Sequence, residues 1–128
     1  MKKLLSLFLI LGVLLCGCTK QNNGFYRCIT QEDAKKMMDE QEDIIIILDV
    51  RTEGEFKSGH IKNAICLPVS EIKDTPPKEL PNLDQVILVY CRAGNRSKVA
   101  SQALANMGYT QIYEFGGIET WTYGVVYD

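Results

Sequence analysis

Two uninterrupted apolar runs constrain the fold of this chain more than any other feature of its sequence. Residues 43–50 are D-I-I-I-I-L-D-V, and residues 86–90 are V-I-L-V-Y. A strand with one face in solvent alternates apolar and polar residues, whereas a strand covered on both faces stays apolar throughout. Both runs are therefore predicted to be inner strands of a parallel sheet that is flanked by helices.

The remaining segments alternate in the order that a parallel α/β domain requires. A helix is predicted from the cap residue Thr30 to Gln41, a short one within residues 51–59, and one from Ser97 to Met107. Prolines limit residues 69–83 to short helical turns. Further strands are predicted at 25–29, 64–68 and 111–115, and a short helix with Trp121 at 118–123. The buried stripe of the third helix is predicted to be Val99, Ala100, Ala103, Leu104 and Met107.

A cysteine follows the second apolar run, where a parallel sheet presents its ligand-binding edge. Residues 91–97 are C-R-A-G-N-R-S, and a helical pattern begins at Ser97. Ligands bind at the carboxyl ends of parallel strands, and a helix start offers unpaired N–H groups that favour an anion. Cations and a helix N-terminus lower the pKa of a thiol. With Arg92 and Arg96 beside it, Cys91 is predicted to be a thiolate nucleophile.

The first residues predict export. Lys2 and Lys3 precede an apolar run over residues 4–15 that is short for a membrane-spanning helix. It ends in L-C-G-C at 15–18, which is similar to the lipobox of bacterial lipoproteins, with Cys18 as the lipidated residue. An ordinary secretory signal or an uncleaved anchor is the alternative. We predict a lipoprotein signal peptide at 1–17, a tether at 18–24, and a folded domain at 25–128. The lipid on Cys18 would anchor the protein on the outer face of the cytoplasmic membrane or in the periplasm.

Charge and cysteine content exclude several classes of protein. The net charge of −2 and the lack of a basic cluster argue against a nucleic-acid partner. Three of the five cysteines fall in the predicted domain, and no C-x-x-C pair exists. An odd number outside the cytoplasm leaves at least one thiol unpaired. Cys28 and Cys66 are predicted to be core residues, with a resolving thiol as the alternative role for Cys66. We expect neither a metal nor a cofactor.

Three ordered segments resemble the rhodanese family. Residues 48–68 are L-D-V-R-T-E-G-E-F-K-S-G-H-I-K-N-A-I-C-L-P, similar to the D-V-R…G-H-I…A…P block of that family. Residues 89–97, V-Y-C-R-A-G-N-R-S, resemble its active-site loop C-R-x-G-x-R-S. Residues 116–124, G-G-I-E-T-W-T-Y-G, resemble its closing signature. Together they cover most of residues 42–126, the best-matching part of the predicted domain.

The resemblance implies an α/β, rhodanese-like fold with a five-stranded parallel sheet and helices on both faces. It also implies a sulfurtransferase, which moves a sulfane sulfur from a donor such as thiosulfate to a thiol or cyanide. Cys91 would carry the sulfur as a persulfide, and Asp49 and Arg51 would brace the site. The substrate-binding loop would be formed by the residues after the cysteine: Arg92, Ala93, Gly94, Asn95, Arg96 and Ser97.

Two other functions remain open at this stage. Phosphatases with a cysteine nucleophile, including a branch with the rhodanese fold, resemble C-x5-R, a loop that holds a tetrahedral phosphate. Here Cys91 and Arg96 form C-x4-R, a smaller ring that suits a single sulfur better. The loop also fits a non-enzymatic binding module that recognises an anion or a protein. A phosphatase or arsenate reductase and a binding module are therefore the alternatives to sulfur transfer.

Overall fold

The computed structural model of the protein, which describes residues 24–128, contains the predicted parallel sheet of five strands. The strands pair in the order β1-β5-β4-β2-β3, and every neighbouring pair is parallel. The predicted signal peptide, tether and lipidated Cys18 lie outside the described residues, apart from Gly24. The strands are β1 (Arg27–Cys28), β2 (Ile45–Asp49), β3 (Ile65–Cys66), β4 (Val86–Cys91) and β5 (Gln111–Gly117).

In the described part of the chain, three α-helices cover the sheet: α1 (Gln31–Glu40), α2 (Glu53–Lys57) and α3 (Asn95–Met107). The predicted cap of α1 is confirmed, since the Thr30 hydroxyl accepts the Asp33 N–H at 3.0 Å. A short 3₁₀ turn forms at Val69–Glu71, as predicted for that proline-rich segment, and the helix predicted at 118–123 is a 3₁₀ turn limited to Ile118–Thr120. Among residues 24–128, no helix combines the length and apolar character needed to cross a bilayer.

The core has two apolar clusters, one on each face of the sheet. Residues of α3 pack with one face, and Ala34 of α1 packs with the other. The inner strand β4 contributes to both, and its residues Ile87 to Tyr90 are fully buried. This double burial explains why the run is apolar without alternation. It also holds the end of β4, and hence Cys91, in a rigid part of the fold.

The predicted buried stripe of α3 was wrong in one position. Val99 is 64% exposed, whereas Ser97 and Ser101 are completely buried. Both serines lie on the helix face that also carries Ala100 and Leu104, since residues three and four apart share a face. The apolar pattern misled because small hydroxyl side chains fill this contact and the larger valine does not.

Two predictions about strands β1 and β5 also need correction. Cys28 was expected in the core, but it is exposed, because β1 is a two-residue strand at the sheet edge. Strand β5 was expected to end at Phe115, but it continues to Gly117. The pairing of β4 with β5 shifts register between Val89 and Cys91, because β5 has a bulge there. The bulge brings Gly117, the last residue of β5, next to the loop that follows β4.

Candidate active site

Cys91 lies at the carboxyl end of β4 with only 1% of its surface exposed. Its Sγ accepts the N–H of Gly94 at 3.0 Å, and Gly94 is the N-cap residue directly before α3 begins at Asn95. Among the described residues, this is the one loop amide within hydrogen-bond distance of Sγ. The prediction that the amides of residues 92–97 surround a bound sulfur stays a prediction. The thiol is nevertheless placed at the positive end of a 13-residue helix.

Two glycines make the loop around this thiol possible. Gly94 has φ +106°, in the left-handed region that favours glycine. Gly117 allows β5 to touch the loop, since a Cβ there would lie 1.9 Å from the Arg92 carbonyl oxygen. That carbonyl also accepts the Glu119 N–H at 3.1 Å. The peptide after the cysteine is therefore held by direct backbone contact with the end of β5.

Arg96 points to a carboxylate across the loop. Its two terminal nitrogens donate to the Glu55 oxygens of α2 at 2.7 and 2.9 Å. Hydrogen bonds from Arg96 lower the pKa of Glu55 to about 2, despite partial burial. Glu55 also completes a capping box with Thr52 at the start of α2. The expected cation beside the sulfur is thus part of a fixed bridge from α3 to α2.

We expect Glu55→Gln to weaken the fold in a pH-dependent way. The ion pair stabilises the protein above the unfolded pKa of Glu55, and this contribution is lost as the pH falls through about 2. Because solvent reaches both side chains, we expect less than about 1 kcal/mol at pH 7. Urea unfolding at pH 7, 4 and 2.5 measures the difference from wild type. A difference of the same size at every pH would contradict this origin.

Asp49 and Arg51 form the predicted ion pair behind the loop. Arg51 donates to both carboxylate oxygens, with 2.6 Å from Nη2 to Oδ2, and both residues are buried. The Arg51 guanidinium also donates to the Gly59 carbonyl at 2.8 Å. The pair therefore ties the end of β2 to the segment after α2.

A shallow groove opens beside the loop at the carboxyl ends of β2 and β4. Its charged lining residues are Arg51, Arg92, Glu55 and Glu119. Ala93, Asn95 and most of Arg92 are exposed at the surface. Because Arg51 is buried and paired with Asp49, Arg92 is the exposed cationic side chain that this groove offers to a small anionic molecule.

Sequence reasoning missed Glu114 as a residue of the site. It is only 3% exposed, and its Oε1 accepts the Ser97 hydroxyl at 2.6 Å and the Gly116 N–H at 2.9 Å. Ser97 in turn contacts Cys91, with 3.4 Å between Sγ and Oγ. A signal was present, because Glu114 stands two residues after Ile112 and shares its buried face.

Cys66 is separate from this chain of contacts. The Cys66 thiol donates to the Arg51 carbonyl at 3.6 Å, and burial, with Asp49 and Glu53 nearby, raises its pKa to about 11. Cys66 therefore stays protonated near neutral pH and makes a poor nucleophile. Among residues 24–128, no group of histidine, cysteine and acidic side chains is arranged to hold a metal ion.

These features define a parallel α/β domain that presents a buried cysteine to the start of a helix at the ligand-binding edge of the sheet. The profile of the family described as Rhodanese-like domain matches residues 30–123. The chain therefore belongs to the rhodanese-like family.

Known proteins of this family resemble the chain over most of the domain. Thiosulfate sulfurtransferase PspE of Escherichia coli is 33% identical over 72 residues, which cover 56% of this chain and 69% of PspE. Thiosulfate sulfurtransferase GlpE of Coxiella burnetii is 30% identical over 97 residues, 75% of this chain and 87% of GlpE. A rhodanese-related protein from Thermoplasma volcanium superposes with a TM-score of 0.66 at 32% identity, covering 80% of this chain and all of that one (100%).

Proposed function

We propose that this protein is a sulfurtransferase that carries a sulfane sulfur on Cys91. The single observation that carries the proposal is the placement of the Cys91 Sγ, buried at the end of β4 and bonded to the Gly94 N–H at 3.0 Å. A sulfur anion at this position faces the unpaired N–H groups of α3 and the positive end of its dipole. The relatives named as thiosulfate sulfurtransferases support the same activity.

The reaction has two steps that return the cysteine to its starting state. The Cys91 thiolate attacks the outer sulfur of thiosulfate, and the sulfur–sulfur bond of the donor breaks. Its electron pair leaves with sulfite, and Cys91 becomes a persulfide. An acceptor thiolate or cyanide then attacks the outer sulfur, which releases an organic persulfide or thiocyanate and restores the Cys91 thiolate. Main-chain N–H groups of the loop stabilise the charge that collects on the outer sulfur.

Donor binding is assigned to Arg92 and to the groove that it lines beside the loop. Thiosulfate is a dianion, and guanidinium groups bind such oxyanions through several parallel hydrogen bonds. Arg92 is exposed and follows Cys91 directly, so it can meet a donor that approaches the sulfur. Arg96 is assigned a different part, since its two terminal nitrogens already hold Glu55.

Mass spectrometry of peptides after thiosulfate treatment tests this proposal. We expect one added sulfur atom on the peptide that contains Cys91, lost again on addition of cyanide. The peptides with Cys28 and Cys66 serve as internal controls and should keep their mass. Turnover of a phosphate ester or arsenate without sulfur loading would favour the phosphatase or reductase alternative. Ligand binding without loading or turnover would favour a binding module.

We also propose that the protein is a lipoprotein anchored through Cys18. The support is the order of the first residues, a charged start, an apolar run and L-C-G-C at 15–18. Cys18→Ser removes the thiol that would receive the lipid. We expect that variant to leave the membrane fraction and to lose incorporation of labelled fatty acid, whereas Cys28→Ser should behave as wild type. Unchanged labelling of Cys18→Ser would overturn the proposal.

A further inference from the structure

The least expected group near Cys91 is the carboxylate of Glu114. Cys91, Ser97 and Glu114 are exposed by 1%, 0% and 3%, so water has almost no access to them. Within residues 24–128 no lysine or arginine forms an ion pair with Glu114. A buried carboxylate without a cation is costly, and such groups cluster at functional sites. The proposed function makes Cys91 the reacting group, and Glu114 is connected to it through Ser97.

The hydroxyl of Ser97 has one hydrogen and several acceptors around it. Glu114 Oε1 lies at 2.6 Å, the Gly94 carbonyl at 3.1 Å and the Gly116 carbonyl at 3.4 Å. The shortest contact is to a carboxylate, which is also the strongest acceptor, so the hydrogen is directed to Glu114. The face of the Ser97 oxygen that meets Cys91 then carries lone pairs. It can accept a hydrogen from a thiol, but it repels a thiolate.

We propose that Glu114 is a positioning residue for sulfur transfer, which acts through Ser97 to hold the empty Cys91 in its thiol form. This inference rests on the proposed function, since it treats Cys91 as the sulfur carrier. In the persulfide the charge moves from Sγ to the outer sulfur, so the Ser97 oxygen faces an uncharged atom. Glu114 therefore opposes the empty thiolate more strongly than the loaded state, and it counteracts the activating effect of the helix start.

The other charged groups around the pair do not replace this action. A second groove, separate from the one that Arg92 lines, lies next to Glu114. Lys98 and Cys28 line this second groove, together with neutral side chains of α1 and of the segment after β5. Burial and the charge of Glu114 raise the pKa of Cys28, whereas the charge of Lys98 lowers it. On the other side of Cys91, Arg92 is exposed and Arg96 is paired with Glu55.

Two other acidic side chains near the cysteine loop, and the one histidine, have partners of their own. Asp49 is held by Arg51, and Glu55 by Arg96. His60 contacts the Phe56 carbonyl at 3.0 Å and the Asp128 carboxylate, so its ring nitrogens are also occupied. Glu114 is thus the acidic side chain, among the residues described, that a hydrogen-bonded hydroxyl connects to Cys91.

The test is the pH dependence of Cys91 alkylation by iodoacetamide, read from the mass of the Cys91 peptide of the full-length chain in mild detergent. Glu114→Gln keeps the size of the side chain and removes its charge. We expect the midpoint of the alkylation rate against pH to fall by about one pH unit. At any pH below the midpoint, the variant would then contain about ten times more Cys91 thiolate than wild type. The plateau at high pH should fall about threefold, because a more acidic thiol is a weaker nucleophile.

Matched variants separate this action from a structural effect. Glu40→Gln, which removes an exposed charge at the end of α1, should leave the midpoint in place. In the Ser97→Ala background, Glu114→Gln should move the midpoint by less than half as much, because no hydroxyl remains to turn towards the sulfur. Glu114→Asn removes the charge with a shorter side chain and should shift the midpoint in the same direction, which keeps the inference testable if Glu114→Gln does not fold.

The outcomes distinguish this inference from the proposed function. An unchanged or raised midpoint in Glu114→Gln overturns the inference, as does an undiminished shift in the Ser97→Ala background. Alkylation needs no sulfur donor, so these results stand whether or not thiosulfate loads Cys91. If thiosulfate loads Cys91 but Glu114→Gln leaves the alkylation midpoint unchanged, only the inference about Glu114 is overturned. If the midpoint falls in Glu114→Gln but thiosulfate does not load Cys91, only the assignment of Cys91 as the sulfur carrier is overturned.

Discussion

Cys91→Ser is expected to abolish sulfur transfer while the fold stays intact. A hydroxyl is a poor nucleophile towards sulfur, and its ester-like product cannot release sulfur as a persulfide does. Loss of a covalent nucleophile removes the whole two-step route, so we expect a decrease of at least about a thousandfold in thiosulfate-to-cyanide turnover. Colorimetric detection of thiocyanate measures the rate, and the peptide mass should show no added sulfur at position 91.

The control for this substitution lies in the two other cysteines of the domain. Cys28 is exposed and Cys66 is protonated near neutral pH, so Cys28→Ser and Cys66→Ser should retain turnover within about twofold of wild type. The serine at position 91 can accept the Gly94 N–H as Sγ does. We therefore expect a loss of only about 1 kcal/mol in the free energy of unfolding. Turnover that survives Cys91→Ser but not Cys66→Ser would reassign the carrier.

The main strands and the place of Cys91 could be predicted because they depend on local patterns. A strand that is buried on both faces shows an apolar run of five or six consecutive residues, so β2 and β4 could be predicted from the sequence alone. The polar turn after β4 then located the cysteine at the edge of the sheet. His60 packs beside this edge as part of the fold, since its ring stacks on Phe56 with 3.8 Å between centroids and contacts the Phe56 carbonyl.

The contacts that define the loop could not be predicted, because they join residues far apart in the sequence. Glu55 and Arg96 are 41 positions apart, and no spacing rule connects them. Ser97 and Glu114 are 17 positions apart, and they meet only because α3 packs on β5 beneath the loop. That packing also turns Val99 to solvent, since the helix face is chosen by the serines that fit against the sheet.

The bulge near the end of β5 could not be predicted either, because it also depends on a contact with a distant part of the sequence. From the sequence alone, the pair Gly116 and Gly117 indicates a turn, since paired glycines mark turns in most sequences. Their role depends instead on what approaches them from β4. Gly116 has φ +93°, and Gly117 has an ordinary extended backbone, so the need for glycine at 117 comes from the contact alone. A sequence shows the glycine but not the neighbouring peptide that requires it.

Gly117→Ala is therefore expected to damage both the stability and the activity of the protein. The new Cβ would lie 1.9 Å from the Arg92 oxygen, 2.3 Å from its carbon and 2.7 Å from the Ala93 nitrogen. Backbone atoms cannot rotate away as a side chain can, so the loop must shift. Overpacking of this kind costs about 1–3 kcal/mol in the free energy of unfolding, which urea denaturation measures.

The same shift should reduce sulfur loading more than the loss of stability explains. Moving the Arg92–Ala93 peptide carries the Gly94 N–H away from Sγ and breaks the contact between the Glu119 N–H and the Arg92 oxygen. Misplacement of a reacting group by about 1 Å costs about a hundredfold in rate, so we expect a loss of that order under conditions where the variant is folded. Gly54→Ala is the control for stability, because a Cβ there meets nothing within 4 Å and alanine favours its helix. A Gly117→Ala protein with wild-type unfolding and wild-type loading would show that contact between β5 and the loop does not hold the cysteine in place.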